Sequence, residues 1–234
     1  MLQLWQNMGV KMKQTKAFYI SFILNFLIFV GTIFASYSMF TGLRFMSDNE
    51  AFTAMGPEAF KFYTVDSNIL AGLVALIIFI FQLLTLCGKI NKIPHALKLL
   101  NLASTTSVTL TMMITVFFLA PTSKVSFWYL FLNSNFFMHL LTPILCIASF
   151  ILYEREDKIK FPETLFGVLP TILYAIYYIP NVLTHLDGGK PNPKYDWYGF
   201  FMFGANSVWL VIPVITLLTW CFSLVLFACN KKRR

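Results

Sequence analysis

Thr64, Ser67 and Asn68 open an apolar run long enough to cross a bilayer, and they are the residues through which this sequence first suggests chemistry. The stretch reads Phe60-Lys61-Phe62-Tyr63-Thr64-Val65-Asp66-Ser67-Asn68 and continues nearly unbroken in apolar residues to Leu84. Polar groups at a hydrocarbon boundary cost free energy unless something uses them, so an intramembrane polar cluster is a site hypothesis by default. Positions three and four apart share a helix face. Thr64, Ser67 and Asn68 therefore project together, and Ala71, Gly72 and Ala75 extend the face with small side chains. Small residues let a neighbouring helix approach closely. Asp66 projects elsewhere.

A second candidate is His139, the one histidine deep in an apolar run; His95 falls in a basic loop and His185 in a polar one. His139 shares a face with Asn135, Thr142, Pro143 and Cys146. Spacing alone leaves two roles open for it, a satisfied packing residue or a proton acceptor.

Composition says what must position these groups. The chain has 234 residues, 58% hydrophobic and 12% charged, about half the charge of an ordinary soluble domain. The expected fold is all-α, a single integral membrane domain over residues 1–234. Six spans are predicted, at about 17–40, 64–86, 99–119, 133–153, 163–183 and 199–229. The first is longer than a signal-peptide core. The third carries a Ser/Thr run from Ser104 to Thr115, read as packing, because such hydroxyls bond back to helix carbonyls. Ser21, Asn25, Thr32 and Ser36 on the first span are read the same way. Residues 51–55 are expected to form a short interfacial turn.

Six spans put both termini on one side. The loops and tails of that side hold 13 of the 18 basic residues, which predicts cytoplasmic termini. The same clustering explains the net charge of +8 without nucleic acid. Cys87, Cys146, Cys221 and Cys229 lie in or at the ends of spans with no metal or CxxC spacing. With this orientation Thr64 and His139 both lie near the outer leaflet, at matched depth.

The stretch from Lys61 to Asn68 resembles the Thr motif of the androgen-induced membrane hydrolase family and its bacterial relatives. Leu132-Asn133-Ser134-Asn135-Phe136-Phe137-Met138-His139-Leu140-Leu141-Thr142-Pro143 is similar to that family's His motif. Asp196-Trp197-Tyr198-Gly199-Phe200 is similar to an aromatic outer loop of bacterial members. The resemblance implies a multi-pass protein of the bacterial plasma membrane that hydrolyses fatty-acyl esters, with membrane lipids as its surroundings and no cofactor or metal. It assigns the nucleophile to Thr64 and the base to His139. Asn68, Asn135 and Ser67 would support them, Asn68 as orienting group or oxyanion donor and Asn135 by fixing the imidazole tautomer; plain interhelical hydrogen bonding stays open as the role of both Asn residues. Two other classes remain open: a non-catalytic membrane scaffold, in which Thr64 and His139 only pack, and a small transporter-like protein. Few intramembrane charges and no internal repeat speak against transport.

Overall fold

The computed structural model describes residues 16–48, 54–122, 126–153, 158–201 and 203–232. Lys11, Lys13, Lys124, Arg155, Arg233 and Arg234 of the charge reading, and residues 51–53 of the expected turn, lie outside them. Six helices are long and apolar enough to cross a membrane: α1 Lys16–Thr41, α2 Tyr63–Leu86, α3 His95–Leu119, α4 Ser134–Leu152, α5 Phe161–Thr184 and α6 Ala205–Lys231. The chain is a polytopic all-α membrane bundle. With six alternating crossings, the start of α2, the end of α3 and the start of α4 share the face opposite the termini.

Two helix starts differ from expectation, and each has a local cause. Pro94 ends the basic loop and supplies the N-cap of α3, so His95 stands in the first helical turn rather than in the loop. Its Nε2 meets Glu163 Oε1 of α5 at 3.0 Å. At the other end, Gly199 and Gly204 adopt φ of 67° and 101°. Those angles interrupt a right-handed helix, and the last span begins at Ala205 instead of Gly199.

Helix α3 is the most buried of the six and touches α2, α4, α5 and α6. Its hydroxyls explain how so polar a helix sits at the centre. Thr106, Ser107 and Thr109 donate to the carbonyls of Leu102, Ala103 and Thr105 at 2.7 to 2.8 Å. Satisfied this way, they present methyl and methylene groups to the neighbouring helices. The polar stripe of α1 packs likewise: Asn25 Nδ2 donates to Ser21 O at 2.9 Å, and Gln82 Nε2 of α2 donates to Ser21 Oγ at 2.9 Å.

The small face of α2 does what its sequence suggests. Ser67, Asn68, Ala71, Gly72 and Ala75 are all buried, whereas Asp66 is exposed. A Cβ on Gly72 would come within 2.8 Å of both Thr32 Cβ and Cγ2 on α1. Gly72→Val is therefore expected to lose about 1–3 kcal/mol through overpacking. The check is thermal unfolding in detergent; an unchanged midpoint would refute the close approach.

Candidate active site

The His139 turn owes its shape to Pro143. In a regular helix the Thr142 N–H would donate to Met138 O. Here it donates to Phe137 O, five residues back, and residues 137–141 form one widened π-helical turn. The widened pattern would have residue 143 donate to Met138 O, but proline has no N–H. Met138 O is thus left without a helix donor, and Asn68 Nδ2 of α2 fills the place at 3.0 Å. The same amide donates to Thr64 O at 2.8 Å. One side chain of the Thr motif therefore joins the Thr64 turn to the His139 turn. Ser67 Oγ also donates to Thr64 O, at 3.0 Å.

A second widened turn, Thr115–Leu119, ends α3 and is likewise followed by a proline, Pro121. Single π-turns inside helices often sit at functional sites. The two turns meet: Thr115 Oγ1 lies 2.8 Å from His139 Nδ1. Thr115, one of the hydroxyls that the sequence suggests only pack, is thus a partner of the imidazole, and Asn135 lines a cavity with His139. The available signal is positional, since Thr115 ends the Ser/Thr run and a proline, Pro121, follows its turn as Pro143 follows that of His139.

Thr64, Asn135 and His139 line one cavity of about 410 Å³, together with the apolar Met39, Val65 and Leu119 and the aromatic Phe62, Trp197 and Tyr198. Thr64 is half-buried, and its hydroxyl makes no hydrogen bond to another described residue. Asn135 and His139 are buried. Asn68 is buried beside the cavity, and both its N–H groups are committed to carbonyls. That commitment makes it a positioning group and leaves it no proton for an oxyanion. Cys146 is buried in an apolar cluster with Ile28, Ala71, Ala75 and Val108. Among the described residues no group of three His, Cys, Asp or Glu could hold a metal.

The aromatic loop closes the site from above. The Asp196 carboxylate accepts the Phe200 and Phe201 N–H groups at 3.0 Å each and the Tyr178 hydroxyl, which folds the loop into a tight turn through Gly199. Trp197 Nε1 then donates to Tyr174 Oη at 3.0 Å, and Tyr174 Oη donates to Lys61 O at 2.6 Å. The Tyr63 N–H at the start of α2 donates to Tyr198 Oη at 2.7 Å. A helix start leaves such N–H groups without partners, so Tyr198 caps α2 one residue before Thr64. Burial pushes the Tyr198 phenol up from its ordinary range, which keeps it a neutral donor.

No family model, curated protein or solved structure matches the chain. Fold and geometry define a multi-pass helical membrane protein with a largely apolar cavity, holding Thr64, Asn135 and His139, on the face opposite its termini.

Proposed function

We propose that this protein is an intramembrane hydrolase of fatty-acyl esters, with Thr64 as nucleophile and His139 as base. The observation that carries the reading is the shared cavity of Thr64 and His139, whose two turns the Asn68 amide ties together. A threonine hydroxyl is a weak nucleophile and needs an adjacent base. In the tautomer whose Nδ1–H donates to Thr115 Oγ1, Nε2 carries the lone pair that takes the Thr64 proton. Thr64 Oγ1 then attacks the ester carbonyl. The C–O bond to the alcohol breaks, and the alcohol leaves with the proton from the imidazolium. Water, deprotonated by the same imidazole, releases the fatty acid and regenerates Thr64. Tyr198, whose oxygen accepts the Tyr63 N–H and whose ring lines the cavity with Thr64, is the donor we assign to the oxyanion. A donor of this kind is worth about 3 kcal/mol of barrier. The largely apolar walls suit an acyl chain. The test is labelling of the purified protein with a fluorophosphonate and mapping of the adduct: Thr64 is the expected site, and an unlabelled Thr64 would count against the mechanism.

The orientation belongs to the same proposal. The excess of basic residues on the terminus side supports cytoplasmic termini, with the cavity toward the outer leaflet. A reporter fused after Arg234 is expected to score as cytoplasmic; an extracytoplasmic signal would invert the assignment.

A further inference from the structure

Beside the Thr64–His139 cavity lies a second one of about 320 Å³, and its chemistry differs. Its lining includes Glu58, Lys61, Asn181, Lys194, Tyr195 and Trp197. Trp197 lines both cavities, so the two share a wall. Lys61 and Lys194 are two of only five basic residues that the topology assigns to this face. Their ammonium groups are held against rings. Lys61 Nζ stands 5.4 Å from the Phe62 ring centre and 5.5 Å from that of Trp197, and Lys194 Nζ stands 5.6 Å from that of Tyr195. One carboxylate offsets them in part. Glu58 Oε2 lies 2.8 Å from Lys61 Nζ, and that hydrogen bond, with the charge of Lys194 adding to it, holds Glu58 below the usual carboxylate range. Two cations against one anion leave the cavity with a surplus positive charge, beside an amide and next to the start of the membrane-spanning α2.

We propose that this second cavity seats the phosphate head of a membrane phospholipid, and that the lipid's ester then falls at Thr64. Lysine binds phosphate as a point charge. Lys61 precedes Thr64 by three residues, so their Cα atoms lie no more than about 11 Å apart. A glycerol backbone joining phosphate to ester spans a distance of that order. The head-group assignment stands on the cavity itself. Placement of the ester at Thr64 rests on the hydrolase reading and deepens it by naming phospholipid as the substrate class.

The test separates the two. The full-length protein in phospholipid-free detergent is titrated with a 1-O-alkyl glycerol 3-phosphate, with the same alkyl glycerol lacking phosphate, and with a carboxylate-headed analogue. These ether lipids cannot be hydrolysed. The phosphate form is expected to bind about tenfold more tightly than either of the others, and Lys61→Gln/Lys194→Gln is expected to erase the difference. Both lysines act here through their ammonium groups, and the backbone carbonyl that Lys61 gives to Tyr174 survives the substitution. Equal binding of phosphate and alcohol, or of phosphate and carboxylate, would overturn the assignment. Turnover of the ester-linked counterparts is measured in parallel. In the double variant, hydrolysis of the phospholipid is expected to fall about tenfold in kcat/KM while that of a neutral glyceride stays unchanged. Equal losses on both esters would overturn the substrate class. Absence of all turnover would defeat the hydrolase reading alone, because the ether-lipid titration still decides the head-group site.

Discussion

Thr64→Ala is expected to abolish both fluorophosphonate labelling and ester turnover while leaving the bundle folded. The Thr64 hydroxyl has no hydrogen-bond partner among the described residues, so its removal should cost less than about 1 kcal/mol of stability. The carbonyl of residue 64 remains in place for Ser67 and Asn68. Turnover should fall by about 10⁴- to 10⁶-fold, the scale on which an activated nucleophile or its base is lost. His139→Ala should fall by a similar factor, and the double variant should be no worse than either single one, because the two residues act as a unit. Cys146→Ser, in the apolar cluster on the same helix, should keep its activity. Turnover of a long-chain ester is the measurement. Full activity in Thr64→Ala would remove the nucleophile assignment and favour the scaffold reading.

Pro143→Ala is expected to lower turnover by about 10²-fold without destabilising the protein. The substitution restores an N–H in α4, which gives Met138 O or His139 O a helix donor again. The widened turn then loses its cause, and a regular turn would rotate His139 relative to Thr64 and displace the Asn68 amide from Met138 O. A misplacement of about 1 Å can cost two orders of magnitude in rate. Stability should hold or rise, because proline inside a helix is itself unfavourable. The combination is what identifies a geometric effect: a lower kcat at an equal or higher thermal midpoint. Unchanged kcat would mean that the π-turn is incidental to the chemistry.

The sequence made the helices legible because each is a long apolar run bounded by lysines, prolines or glycines. It also made the packed face of α2 legible, since the residues from Ser67 to Ala75 recur at helical spacing and have no other use for their small size. The site was legible only in part. Thr64 and His139 stood out because a hydroxyl beside an amide, and a single deep histidine, are rare inside apolar spans. Thr115 did not, because it is chemically identical to the Thr and Ser residues before it, and only a change in helical pitch separates it from them. Asn68 was recognised as a site residue, but its role depends on a carbonyl freed by a proline on another helix, which no pattern within α2 can report. The clasp formed by Asp196, Trp197 and Tyr198 depends on contacts more than a hundred residues away in sequence, and the motif alone does not give their direction.

The carbonyl of Met138 also bears on biogenesis. A chain threaded into a bilayer from its N-terminus delivers α2 long before α4. Until α4 arrives, the Asn68 amide has only Thr64 O for a partner. Met138 O, deprived of a donor within its own helix, would in turn enter hydrocarbon unsatisfied, and such a group costs several kcal/mol there. Each helix carries a deficit that the other removes. Docking of α4 against α2 is therefore driven by the atoms that position Thr64 and His139, and a nascent chain arrested before α4 has neither the histidine nor the second carbonyl that fixes the threonine turn. Docking of α4 on α2 and pairing of the Thr64 turn with the His139 turn are one event. A residue inserted between Thr64 and Asn68, or between Met138 and Pro143, would shift one partner of that pairing and halt both.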